Sequence, residues 1–119
     1  EMILSSYSLP VWDFVSGETK ERIVTLRYDN GEPYELGDAT TARLQILDFV
    51  NRDTEPALDT TQTIEDNEDG IHCNLKLSLN ASETAQLQGK YLYIAVVTDE
   101  LGNVAKLRGP MLVLDKSNE

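Results

Sequence analysis

A protein that moves protons near neutrality needs histidine, cysteine or perturbed carboxylates, and this chain has one histidine and one cysteine. They are neighbours, His72 and Cys73. Along an extended strand successive side chains point to opposite faces, so this pair cannot meet as base and nucleophile. Cys73 falls in step with Ile71, Leu75 and Leu77, which marks it as a small core residue rather than a reactive thiolate. Carboxylates are abundant, but they stand in polar stretches with no apolar pocket to raise a pKa, and they read as solvated charge. The acidic run Glu65-Asp66-Asn67-Glu68-Asp69-Gly70 sets Asn67, Asp69 and Gly70 at the third, fifth and sixth positions of a calcium loop. Its first position would be Glu65 instead of Asp, and its twelfth is Lys76, where a bidentate glutamate is required. The expectation is therefore no catalytic, cofactor-binding or metal-binding residues, and no enzyme. Asn80-Ala81-Ser82 fits a glycosylation acceptor, but helix capping accounts for the same residues.

Recognition is the other chemistry on offer. Tyr7, Trp12, Phe14, Tyr34 and Phe49 would stack sugars or anchor a protein interface if exposed together, and core packing is the competing use. Trp12 and Phe14 share a face if their segment is extended. Pro10 divides that segment, as expected of an edge piece that docks rather than pairs centrally. Tyr7, Trp12, Phe14 and Tyr34 are accordingly the candidate partner-contact residues, toward other proteins or further copies of the chain.

These side chains must be placed by a chain of 119 residues with 21 acidic and 10 basic side chains, a formal net charge of -11. The length suits one domain, over residues 1–115, with 116–119 as a polar tail or linker. The charge repels phosphate backbones and anionic membrane surfaces, and no apolar run approaches the roughly 20 residues that span a bilayer. Neither nucleic acid nor membrane is an expected partner. One cysteine excludes an internal disulfide, so the fold must rest on its core.

The period-two pattern supplies that core. Tyr91–Thr98 and Val104–Leu114 read as a hairpin turned by Gly102-Asn103. Tyr91–Val97 is apolar on both faces, so its strand should be central. Ile71–Leu79 alternates cleanly, and Arg22–Tyr28 and Thr41–Val50 are further strands. Ala57–Ile64 reads as an exposed Thr-rich strand followed by an acidic turn at Glu65–Gly70. Asn80 and Glu83 form the signature of a capping box for a short helix over Ala81–Leu87. Tyr91, at the start of its strand, either folds its hydroxyl back onto the connecting backbone or is a half-buried strand aromatic. About seven strands at intervals of roughly ten residues predict an all-β, immunoglobulin-like antiparallel β-sandwich with one helical turn.

Two segments carry a resemblance. Arg27-Tyr-Asp-Asn-Gly-Glu-Pro-Tyr-Glu-Leu-Gly-Asp-Ala-Thr-Thr-Ala-Arg-Leu44 resembles a stretch of the N-terminal domains of phage baseplate upper proteins. Gly89-Lys-Tyr-Leu-Tyr, with Asp99, Gly102, Leu107, Gly109 and Val113 after it, resembles their C-terminal half. The segment departs from the family at Asp38, which separates Gly37 from Ala39-Thr40. The resemblance implies an immunoglobulin-like sandwich serving as a non-enzymatic building block of a baseplate, tail or head or neck fibre. It would then be located in the virion, with other virion proteins as partners. The alternative from another class is a bacterial surface-exposed domain that binds glycans or a host protein through its aromatics.

Overall fold

The structure, a computed structural model, describes residues 8–32, 34, 40–51, 55–66 and 73–115, without the side chains of Glu65, Asp66 and Cys73. The strands are β1 (Trp12–Val15), β2 (Lys20–Leu26), β3 (Thr41–Asp48), β4 (Leu58–Asp66), β5 (Cys73–Leu79), β6 (Gly89–Thr98) and β7 (Val104–Leu114), with α1 (Ala81–Thr84) between β5 and β6. They form one continuous ladder in the order β1-β7-β6-β3-β4-β5-β2. The ladder folds over at β4. Leu58–Gln62 pairs with β3, whereas Thr63–Asp66 pairs with β5. The result is two facing layers, a larger sheet of β1-β7-β6-β3 with the first half of β4, and a smaller one of its second half with β5 and β2. This is an immunoglobulin-like β-sandwich.

Alternation decides which residues fill the space between the layers. Val24 and Leu26 of β2, with Leu75, Leu77 and Leu79 of β5, face Leu44, Ile46, Tyr93, Ala95 and Leu107 of the larger sheet. β6 lies between β7 and β3, as its apolar run predicts. Its hairpin with β7 is held by Asp99, whose carboxylate accepts the N–H groups of Leu101 and Asn103, both at 2.9 Å. Gly102 takes φ +87 there, a conformation that side chains with a Cβ rarely adopt.

Two expectations about the strands are corrected. β1 runs parallel to β7, Trp12 opposite Met111, rather than antiparallel to a neighbour. The chain enters along β7 from Ser8, which bridges Arg108 in the same sense, so the edge is lengthened without a hairpin. β4 also continues through Glu65 and Asp66, where a turn is expected from their charge, because ladder bonds to Asn74 and Cys73 are available there.

The helical turn has its capping box: the Asn80 side chain accepts from Glu83 N–H at 2.8 Å, and Glu83 Oε1 accepts from Asn80 N–H at 2.9 Å. It is shorter than expected, since Gln86 and Leu87 bond three residues back and tighten the end into a 3₁₀-like turn. Fully buried Thr84 docks it on the β1–β2 turn, donating to Glu18 O at 2.6 Å and accepting from Gly17 N–H at 3.1 Å. Just beyond, the Tyr91 hydroxyl donates to Gln88 O at 3.1 Å and accepts Gln88 N–H at 3.0 Å. Of the two readings of Tyr91, the folded-back corner is the observed one.

Candidate functional site

The aromatic residues singled out in the sequence come together, but inside the protein. Trp12 and Phe14 are 5 % and 4 % exposed, with ring centroids 5.6 Å apart in an edge arrangement, and Trp12 meets Tyr93 the same way at 5.4 Å. Tyr34 is 4 % exposed, its ring 5.3 Å from Tyr28 and its hydroxyl 2.9 Å from Thr40 Oγ1. On the folded domain these three side chains offer a partner almost no surface, and they act as core. Tyr7, His72 and the 67–70 part of the acidic loop, like the side chain of Cys73, lie outside the described residues. The residues available for stacking a glycan are reduced accordingly: of the described aromatics, Phe49 is the one classed among the exposed large apolar groups.

Around Trp12 the two sheets are joined by a polar link. Arg22 of β2 donates to the Tyr93 hydroxyl at 2.8 Å, to Pro10 O at 3.0 Å and to Val11 O at 3.2 Å. Its guanidinium also sits 5.8 Å from the Trp12 ring centroid. The Tyr93 hydroxyl in turn donates to Pro10 O at 2.7 Å. Tyr93 follows the corner tyrosine by two residues, the position from which an antibody domain makes its inter-sheet disulfide. Here a hydrogen-bonded Arg–Tyr pair connects the same layers.

Burial pushes the Tyr93 hydroxyl above its ordinary value of 10.0, with the hydrogen bond and charge of Arg22 pulling partly the other way. A raised folded pKa means that the neutral form is favoured by folding. The stability it contributes is whole below the ordinary tyrosine range and is lost as pH rises through the folded value. Alkaline titration should therefore show one tyrosine ionising together with loss of near-ultraviolet circular dichroism. Tyr93→Phe should cost about 1 kcal/mol at neutral pH yet remove that late component. Ordinary ionisation of all tyrosines with the fold intact would contradict the enclosed placement.

A second feature lies on the opposite side of the larger sheet, turned away from the core. β6 places Leu92, Ile94 and Val96 there, flanked by Leu47 of β3 and by Pro110 and Leu112 of β7. At one end a groove of about 240 Å3 is lined by Val11, Phe49, Lys90, Pro110, Met111 and Leu112. The turn carrying Phe49 is fixed by Asp48, whose carboxylate accepts the N–H groups of Asn51 at 3.0 Å and Val50 at 2.9 Å. Those two bonds hold its pKa below the ordinary carboxylate value. Arg43, Lys106 and Arg108 stand along the same face, Arg43 and Lys106 opposite Val96 and Arg108 opposite Ile94. Sequence reasoning passed over this face as a site. Its signal was the apolar run of β6 on both faces, which needs cover on two sides.

Among the described residues no group of three or more His, Cys, Asp and Glu side chains is placed to hold a metal ion, and no helix is long and apolar enough to cross a membrane. No family model matches the sequence, and no curated protein matches it. Solved structures align over most of its length at low similarity. CopC from Methylosinus trichosporium OB3b is 15% identical with TM-score 0.47, over 98% of this chain and 96% of that one. AggA, the major subunit of aggregative adherence fimbriae type I from Escherichia coli, is 9% identical with TM-score 0.46, over 95% of this chain and 94% of that one. The PKD domain of human KIAA0319 is 12% identical with TM-score 0.39, over 96% and 81%. All three scores lie below 0.5, and no functional reading passes from these proteins to this chain.

Proposed function

We propose that this chain is a non-enzymatic structural module of a phage virion, part of a baseplate, tail or head or neck fibre, that works through protein–protein contacts. One observation carries the contact reading: polar groups enclosed among the described residues are used in holding the fold, while an apolar strip remains on an outer sheet face. Thr84 fastens the helical turn, and Tyr93 and Arg22 fasten the entering strand. No buried side-chain polar atom among the described residues lacks a partner that would suggest a substrate. The virion location is supported by the resemblance of the Arg27–Leu44 and Gly89–Val113 segments to phage baseplate proteins.

The test is mass spectrometry and antibody labelling of gradient-purified particles from the phage that carries the gene. Stoichiometric presence of the chain in particles is the expected result. Its absence from particles, with the chain found on the bacterial envelope, would replace this reading with that of a surface-exposed binding domain.

A further inference from the structure

The outer face of the larger sheet combines an apolar centre with a charge sign opposite to that of the chain. A sandwich face bathed in water is normally polar at alternate positions. Here β6 sets half-buried Leu92 and Val96 on either side of Ile94, which its neighbours already cover, and β7 adds exposed Val104 and Leu114 on the same face. Around that row stand Arg43, Lys90, Lys106 and Arg108, four of the chain's ten basic residues. Among the described strand positions of this face the acidic residues are Asp13 and Asp59, and Asp59 is tied to Arg43 at 2.6 Å. In a chain with 21 acidic side chains this is a marked segregation.

The geometry points to this face as a docking surface for an acidic patch, apolar at its centre, on another protein. The inference rests on the reading of the chain as a contact module and names where and with what chemistry the contact is made. Basic groups on the rim steer and orient such a partner, and the apolar strip supplies the area that leaves water. Strands about 4.8 Å apart and a rise of about 3.4 Å per residue make the patch roughly 20 by 30 Å, about 600 Å2, which is the lower end of the range for a specific interface, below the ~800 Å2 a side of the standard size. A second copy docking face to face would set the basic residues of each copy against those of the other, which is electrostatically unfavourable. Nucleic acid would have no use for the apolar row and would meet a net charge of -11.

The test uses the whole chain with three probes: a soluble glutamate–leucine peptide, polyglutamate and a short DNA duplex. Backbone amide shifts in nuclear magnetic resonance locate each. The glutamate–leucine peptide is expected to shift Lys90, Lys106, Arg108 and Leu112 and to leave β2 and β5 unchanged. Lys106→Glu with Arg108→Glu should weaken it by about tenfold or more at an unchanged melting temperature. Leu112→Ser, which keeps the charge, should weaken it as well. Equal binding of polyglutamate, binding of DNA at the same residues, shifts confined to the smaller sheet, or self-association of the free chain through this face would overturn the proposal. Particle incorporation separates it from the reading it rests on. Normal incorporation of the charge-reversed chain overturns the surface and leaves the module reading standing. A wild-type chain absent from particles overturns the virion reading, and the peptide experiment then decides the surface alone.

Discussion

Trp12→Ala should destabilise the folded domain by about 3–5 kcal/mol, a large share of the ~5–15 kcal/mol that holds a typical domain together. The ring is 5 % exposed and touches Phe14 and Tyr93 edge-on. Truncation leaves a cavity between the sheets, bordered by two aromatic faces that cannot both collapse into it. It also removes the ring beside the Arg22 guanidinium, 5.8 Å from its centroid, a contact worth about 0.5–1 kcal/mol at a partly exposed site. Urea denaturation at neutral pH is the measurement, with Trp12→Phe as the partner variant that keeps an aromatic ring and should lose much less. A midpoint unchanged by Trp12→Ala would mean that the ring is not core, and would restore Trp12 as a partner contact. The sequence shows that Trp12 and Phe14 share a face. It does not show that this face turns inward, because that depends on β1 lying parallel to β7, nearly a hundred positions along the chain.

The same distinction explains what else was legible. The β6–β7 hairpin, the alternation of Leu75, Leu77 and Leu79, and the Asn80–Glu83 capping box follow from rules that operate over two to five residues. Each is present. The seven strands and one helical turn follow from adding such local signals together. The change of sheet within β4 has no local signal, since Thr60 to Thr63 read alike on either side of it. Neither does the link from Arg22 to Tyr93: alternation sets Arg22 on the inward side with Val24 and Leu26, but the hydroxyl it finds belongs to the opposite sheet, 71 positions along the chain. The outer face was half legible. An apolar Leu92-Ile94-Val96 row is visible in the sequence, but Lys106 and Arg108 acquire meaning only when register sets them beside it. Function was least legible, because the contact role proposed above requires no fixed residue types at fixed spacing, unlike a metal or nucleophile site.

Gly109→Val should be the other severe substitution, and Gly109→Ala a milder form of it at about 1–3 kcal/mol. Gly109 lies opposite Tyr93 on the inner side of β7, and its φ is not in the left-handed region, so the argument is one of space. A Cβ there would lie 2.8 Å from Leu9 O, 2.9 Å from Tyr93 Cε1 and 3.0 Å from Leu9 Cβ. None of these atoms is the free end of a flexible chain. Leu9 is held by its N–H bond to Arg108 O at 2.7 Å, and the enclosed Tyr93 ring is pinned through its hydroxyl to Pro10 O. Replacing glycine stiffens the unfolded chain and returns about 0.4–1 kcal/mol, which the overlap exceeds. The strain should be relieved where the structure is least constrained, by moving the entering segment at Leu9 and Pro10 off β7. Trp12 follows that segment and is the only tryptophan, so its fluorescence reports the displacement. Gly109→Ala should shift the emission to the red and make it easier to quench with acrylamide, in proportion to the lost stability, and Gly109→Val more so. Gly102→Ala is the control. It strains a φ of +87 with nothing within 4 Å, so it should lower the melting temperature while leaving the native emission unchanged. Equal emission shifts in both glycine variants would mean general loosening and would exclude the close approach of Leu9 to Gly109 as the cause.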